Sequence, residues 1–87
     1  MYHITDYTKH KAKRWGLDVY PSKKKGKKID VYKDDQFIKS IGDINYSDYP
    51  SYLKEEGKAY ADERRRLYHI RHTKQTLGEK LSRWLLW

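Results

Sequence analysis

The stretch DERRRLYHIRH, residues 62–72, concentrates side chains that can do chemistry. Its arginines offer planar guanidinium groups that hold phosphates through paired hydrogen bonds, and Tyr68 beside them can stack on a base or line a backbone groove. His69 and His72 lie three positions apart, so both can face one side of a helix and ligate a metal. The stretch therefore has three interpretations: a nucleic-acid-binding helix, a metal site, or the charged outer face of a core helix.

The metal and catalytic interpretations have little support from the rest of the sequence. The chain has no cysteine, no spacing dictates a third ligand beside His69 and His72, and the neighbouring arginines would repel a cation. No nucleophile elbow, phosphate-cradling glycine loop or HExxH motif occurs. Aspartates that could seat Mg²⁺ for a nuclease fit turn and cap positions better: Asp30, Asp34, Asp35, Asp43 and Asp48. We predict a non-enzyme without metal or cofactor.

Charge is distributed unevenly along the 87 residues, whose net charge is +8. Residues 1–28 carry a net charge of +7, residues 29–63 of −5 and residues 64–87 of +6. Two basic ends around an acidic middle favour a folded domain with a basic face over a uniformly basic disordered tail. Such a face points to a polyanionic partner.

The nucleic-acid interpretation combines residues 62–72 with a lysine-rich turn, PSKKKGKK, at residues 21–28. If both lie on one face, they would neutralise about six to ten phosphates, and affinity would fall steeply with salt. No helix-turn-helix, zinc-finger or basic-zipper pattern is present, so we predict backbone contacts to DNA or RNA without base readout. The predicted nucleic-acid-binding residues are Lys23, Lys24, Lys25, Lys27, Lys28, Arg64, Arg65, Arg66, Tyr68, Arg71 and Lys74. Two alternatives stay open: a solvated face paired with carboxylates of the acidic middle, and, for the lysines, a nuclear import signal.

The elements that must position these residues predict one small α+β domain over residues 1–87. Residues 1–16 form an N-terminal arm or helix, which spans 5–15 and is capped by Thr5 or Asp6. Residues 17–43 form a three-stranded antiparallel meander, because the alternating segments 17–20, 28–33 and 36–41 are separated by turn residues. Residues 48–87 form the helical part.

Within the helical part, a long basic helix over about 50–73 begins at Asp48 and Pro50 and allows a break at Gly57. An apolar stripe predicted to face the sheet consists of Leu53, Tyr60 and Leu67, flanked by Tyr52, Ala59 and Ile70. A short amphipathic helix follows the capping-box sequence at Thr76. Its apolar end must dock on the domain or on a partner. The residues predicted for partner contact are Trp84, Leu85 and Trp87.

Three motifs, SIGDINYSDYP, ERRRLYHIRH and the terminal LSRWLLW, resemble a family of small, basic, uncharacterised proteins of large DNA viruses of algae and amoebae and of some tailed phages. The resemblance covers roughly residues 17–87. The matching positions are Gly42, Asp43, Tyr46, Asp48 and Tyr49 in the first motif, Arg64, Arg65, Tyr68, Arg71 and His72 in the second, and Leu86 and Trp87 at the end. It implies a viral origin and association with the virion, without implying a reaction.

Two hypotheses follow. In the first, the chain is a viral nucleic-acid-binding accessory that coats or condenses a genome through backbone contacts. In the second, it is a minor capsid or virion structural protein that contacts viral structural proteins through its tyrosines and C-terminal tryptophans. No segment reaches the roughly 18 apolar residues of a membrane span, and the first residues lack the apolar core of a signal peptide. We expect a soluble protein with no membrane partner, in the virion or in the cytoplasm or nucleus of a host cell.

Overall fold

The computed structural model describes residues 2–87, which form an α+β fold with strands and helices in the predicted order. The elements are α1 (Asp6–Arg14), β1 (Asp18–Pro21), β2 (Lys27–Lys33), β3 (Gln36–Asp43), α2 (Tyr49–Glu56), α3 (Lys58–Arg71) and α4 (Leu77–Leu85). The fold-class prediction is therefore confirmed. None of the helices within residues 2–87 combines the length and apolar character needed to cross a membrane.

The sheet is the predicted meander, with strand order β1-β2-β3 and both pairs antiparallel. Asp34 and Asp35 connect β2 to β3 with φ values of 51° and 65°. Two successive left-handed residues suit the right-handed twist of a hairpin, and aspartate tolerates this conformation better than most residues. Cross-strand pairing then places Ile29 opposite Ile41 and Val19 opposite Val31.

The core lies between the sheet and helices α1 and α4. Its buried members come from the sheet, from the two helices and from the residues that flank them: Ile4, Ala12, Ile29, Val31, Ile41, Leu81, Leu85 and Leu86. Thr5 caps α1 by accepting a hydrogen bond from the Thr8 amide at 3.4 Å. The end of α4 is held against α1, because the buried Thr8 hydroxyl donates to the Leu85 carbonyl at 2.8 Å.

The sequence left open whether the apolar end of α4 docks on the domain or on a partner, and the structure shows how α4 docks. Leu85 is fully buried in the core, so the prediction that it contacts a partner protein is wrong. The Trp84 ring stacks on the Trp15 ring at 4.7 Å between centroids, and its Nε1 donates to the Lys11 carbonyl at 2.9 Å. The apolar end of the chain therefore packs on its own domain.

The long basic helix is interrupted at Gly57, where φ is 91° and ψ is 171°. The predicted sheet-facing stripe is wrong: Leu53, Tyr60 and Ile70 are exposed, and the buried position of α3 is Ala61, one residue after Tyr60. A seven-residue repeat marks one face only when the helix is continuous, and Gly57 changes the phase of α3 relative to α2. Of the other stripe residues, Ala59 is exposed and Tyr52 and Leu67 are half-buried.

Candidate functional site

A cleft of about 560 Å³ lies between α3, α4 and the ends of β2 and β3. We refer to it as the α3 cleft. Its basic lining residues are Lys27, Lys28, Arg64, Arg71 and His72, its other aromatic ones are Tyr46, Tyr52, Tyr68 and Trp87, and its acidic ones are Asp43 and Glu79. Part of the lysine turn thus reaches the same cleft as part of the arginine-rich helix, although the two are far apart in sequence.

Three cations in the cleft lack a carboxylate partner among the described residues. Within residues 2–87, no Asp or Glu oxygen lies within 4.0 Å of the side-chain nitrogens of Lys27, Arg64 or Arg71. The Arg64 guanidinium lies 5.5 Å from the centre of the Tyr52 ring, a cation–π distance that orients its planar group. These three side chains can therefore bind an anion without first breaking an ion pair.

The other two consecutive arginines, Arg65 and Arg66, contact side chains of α2 and α3. The Arg66 Nη2 atom donates to Glu63 at 2.6 Å, and this hydrogen bond holds the pKa of Glu63 below its usual value. The Arg65 guanidinium lies 4.3 Å from the centre of the Tyr49 ring and its Nη2 lies 3.9 Å from Asp62. Arg65 and Arg66 are therefore paired with carboxylates of the same chain, which is the first of the two alternatives to nucleic-acid binding.

The lysines of the turn at residues 21–28 also differ in where they lie. Lys27 lines the cleft, whereas Lys23, Lys24 and Lys25 are exposed outside it. Lys28 is buried, so its predicted contact with a phosphate is corrected: its ammonium group is already occupied within the domain. The predicted residue Lys74 is exposed but does not line the cleft.

Lys28 forms a buried ion pair that joins β2 to the beginning of α2. Its Nζ donates to Asp48 Oδ2 at 2.8 Å, the Tyr2 hydroxyl donates to the same oxygen at 2.6 Å, and Asp48 Oδ1 caps α2 by accepting from the Ser51 amide at 3.0 Å. Burial by itself would raise the pKa of Asp48, but the hydrogen bonds from Lys28 and Tyr2 outweigh it and hold that pKa below its usual value. Burial and the Asp48 carboxylate raise the pKa of Tyr2.

The carboxylate of Asp30 orders the N-terminal end of the lysine turn. Asp30 Oδ1 accepts hydrogen bonds from the hydroxyls of Ser22 and Ser40, each at 2.6 Å, and Oδ2 accepts from the Lys23 amide at 3.2 Å. Burial would raise the pKa of Asp30, but these hydrogen bonds hold it below its usual value. Asp30 and Asp48 are therefore structural carboxylates.

A stack of three rings forms the wall of the cleft between α3 and α4. Tyr68 is sandwiched between His72, at 4.1 Å and 18°, and Trp87, at 4.3 Å and 8°. His72 Nδ1 lies 3.3 Å from Glu79, and Arg83 Nη1 donates to the His72 carbonyl at 2.9 Å. The side chain of Glu79 thus fixes His72 within the connection between the helices.

The metal interpretation of the two histidines finds no support within residues 2–87, where no group of three His, Asp or Glu side chains could hold a metal ion. His72 is instead part of the ring stack. His69 is exposed, and burial of its inner part together with the Arg65 charge lowers its pKa.

Sequence reasoning missed Tyr46 and Tyr52 as cleft residues and placed Trp87 in a partner interface. The IGDINYSDYP motif singled out Tyr46 without a role. The position of Trp87 against Tyr68 depends on how α4 returns toward α3, which no local pattern specifies. Comparisons with protein-family models, with curated proteins and with solved structures found no match to this chain. Function is therefore inferred from the geometry and charge of the α3 cleft.

Proposed function

We propose that this chain is a non-enzymatic nucleic-acid-binding protein whose α3 cleft contacts the phosphate backbone without reading base sequence. The observation that carries the proposal is the meeting of Lys27, Arg64 and Arg71 in one cleft, each without a carboxylate partner among the described residues. A guanidinium group matches the geometry of a phosphate and can hold it through two hydrogen bonds.

A binding role is favoured over catalysis because the acidic groups with lowered pKa values have structural partners. Asp30 orders the lysine turn, Asp48 caps α2, and Asp62 accepts hydrogen bonds from Lys58 and Tyr49. Shifted pKa values often mark catalytic sites, but ion pairs and caps that stabilise a fold shift them as well.

The structure reduces the number of phosphates that this surface can neutralise. Lys28, Arg65 and Arg66 are engaged within the domain, which leaves the three cleft cations and, outside the cleft, the exposed lysines Lys23, Lys24, Lys25 and Lys74. Each phosphate contact changes the slope of log affinity against log salt by about −0.7 on a single strand and about −0.9 on a duplex. The cleft cations alone therefore predict a slope of about −2 on a single strand.

The motif resemblance extends the proposal to a viral genome as the ligand, and to the virion or the infected cell as the location. This extension rests on the matching motifs alone. Its biochemical part can be tested independently, since binding to the phosphate backbone does not depend on the origin of the nucleic acid.

The test is the affinity of purified variants for a fluorescent oligonucleotide, measured by anisotropy. Arg64→Ala and Arg66→Ala remove the same charge from the same helix, one inside the cleft and one in the ion pair with Glu63. We expect Arg64→Ala to weaken binding about 10-fold, as for one lost charge-assisted contact, and Arg66→Ala to have a smaller effect. Arg71→Ala and Lys74→Ala form a second matched pair. Equal losses within both pairs, or no binding by the wild type at about 50 mM salt, would refute the proposal.

A second candidate function is a minor capsid or virion structural role through protein contacts. The observation that favours it is an aromatic row on the sheet face opposite the core: Tyr32 contacts Tyr20 and Phe37, each at 5.5 Å between ring centres, and the latter two are each 54 % exposed. Exposed aromatic rings are typical of protein interfaces. Salt-insensitive or absent nucleic-acid binding, together with association that Phe37→Ser abolishes, would favour this function over the first.

A further inference from the structure

We infer that the α3 cleft takes a single strand, with one unpaired base stacked on the ring of Tyr46 while Arg64 and Arg71 hold neighbouring phosphates. This inference rests on the proposed function and specifies its ligand. It assigns a role to Tyr46, whose exposed position is explained neither by the charge pattern nor by packing in the core.

The site is concave and of limited size. The unpaired cations line a concave space of about 560 Å³, which is the size of sites that enclose one small organic ligand, about 300 to 1,000 Å³. A duplex keeps its bases paired inside and is bound by elements that enter its grooves or by an extended basic surface. A cleft of this size instead suits one nucleotide unit that leaves the strand and enters it.

The cleft is also lined by aromatic rings. Both faces of Tyr68 are covered, by His72 and Trp87, and the Tyr52 ring is in contact with Tyr60 and the Arg64 guanidinium. The Trp87 ring stacks on Tyr68 and lies 6.1 Å from the Tyr52 ring, so each of these rings already contacts other aromatic or cationic side chains of the domain. A binding platform must be an aromatic residue that the domain itself leaves uncovered.

Tyr46 is that residue. It lines the cleft, is 72 % exposed, and within residues 2–87 makes no ring contact with another aromatic side chain. Its backbone is held in place, because its amide donates to the Asp43 carbonyl at 3.1 Å. A base stacks on a tyrosine face regardless of its identity, so this contact adds affinity for unpaired bases without sequence preference.

The site is preorganised. The His72–Tyr68–Trp87 stack and the Lys28–Asp48 pair fix the walls from which the cleft cations project. A preformed site loses little conformational entropy on binding. The Tyr46 ring lines the same site and is 72 % exposed, so it is open to an incoming base.

The experiment compares oligothymidylate of about 15 nucleotides with an abasic oligomer of equal length and with a duplex, and includes oligouridylate to distinguish DNA from RNA. The abasic oligomer retains the phosphates and removes the rings. We expect the wild type to bind oligothymidylate about 5- to 150-fold more tightly than the abasic oligomer, the range measured for one stacked base. Tyr46→Ala should remove this preference and leave the abasic affinity unchanged, whereas Tyr46→Phe should retain it.

Tyr20→Ala is the matched control, since Tyr20 is an exposed tyrosine outside the cleft. Equal binding of the thymidylate and abasic oligomers, tighter binding of the duplex, or an unchanged base preference in Tyr46→Ala would overturn the inference. In each of these cases the proposed function stands if Arg64→Ala still weakens binding of the abasic oligomer. If none of the ligands binds, the proposed function and the inference both fail.

Discussion

The Lys28 ammonium lies 2.8 Å from the Asp48 carboxylate, and their side chains are only 5 % and 1 % exposed. This pair joins the start of β2, where Lys27 enters the cleft, to the N-cap of α2, which precedes α3. A buried ion pair adds little net stability compared with an apolar pair, but removing one partner leaves an uncompensated buried charge. The pair therefore fixes the relative position of the two sides of the α3 cleft.

Replacement of Lys28 by methionine should destabilise the domain by about 3 to 5 kcal/mol, because the Asp48 carboxylate would stay buried without its ammonium partner. Urea unfolding followed by circular dichroism measures the change in the free energy of unfolding. Lys25→Met, at an exposed position in the same turn, should change it by less than about 0.5 kcal/mol. Similar values for the two variants would show that the buried pair has no structural role.

The same pair predicts a dependence of stability on pH. The pKa of Asp48 is lower in the folded state than its unfolded value of about 3.9, so its contribution is complete above about pH 5 and is lost as pH falls through the folded pKa. The wild type should therefore be more stable than Asp48→Asn at pH 6, and this difference should shrink below about pH 4. Asp18→Asn, at an exposed carboxylate, should show a much smaller difference at both pH values. A difference for Asp48→Asn that stays constant from pH 6 to pH 3 would contradict the assignment.

Two glycines with similar φ angles differ in the space around them. Gly42 has a φ of 80° and a Cβ placed there would lie 2.8 Å from Leu86 Cδ1, whereas Gly26 has a φ of 83° and open space around it. Gly26→Ala should cost about 1 to 2 kcal/mol for the left-handed backbone alone. Gly42→Ala should cost a further 1 to 3 kcal/mol, roughly, because the methyl group clashes with a buried leucine. Thermal unfolding of both variants measures the difference, and equal losses would contradict the close packing of β3 against Leu86.

The Trp87 ring is predicted to hold α3 in place. Removing it in Trp87→Ala takes away one of the two rings stacked on Tyr68, so hydrogen exchange should become faster in α3 while β2 stays protected. Trp15→Ala is the control, because it removes a similar stack, with Trp84, between two residues that lie outside α3. If α3 loses protection equally in both variants, the stack on Tyr68 is not what holds the helix.

Most of the fold was predictable because its signals are local. Thr5 and Thr76 cap their helices as expected, and the two left-handed aspartates form the turn between β2 and β3. The sheet-facing stripe was wrong because Gly57 separates Leu53 from α3, and because α3 buries the face that carries Ala61 and not the face of Tyr60. The sequence allows that interruption but does not show how the second helix is then oriented.

The cleft was only partly predictable, because charge pattern does not reveal which cations find partners. Lys28 looks like its neighbours in the lysine turn, and its burial depends on Asp48, 20 residues away. Arg65 and Arg66 look like Arg64, yet the helical geometry turns them toward Asp62 and Glu63. The aromatic wall depends on tertiary packing of α4, so the stack of Trp87 on Tyr68 had no signal in the sequence.

The most direct test of the central claim is the salt dependence of oligothymidylate binding by the wild type and by two double variants. Arg64→Ala with Arg71→Ala removes two cleft cations, and Arg66→Ala with Lys74→Ala removes the same charge from outside the cleft. We predict that the slope of log affinity against log salt becomes less steep by about 1.4 in the first variant, as for two lost phosphate contacts on a single strand, and changes little in the second. Equal slopes in the two double variants would contradict the claim that the α3 cleft binds the phosphate backbone.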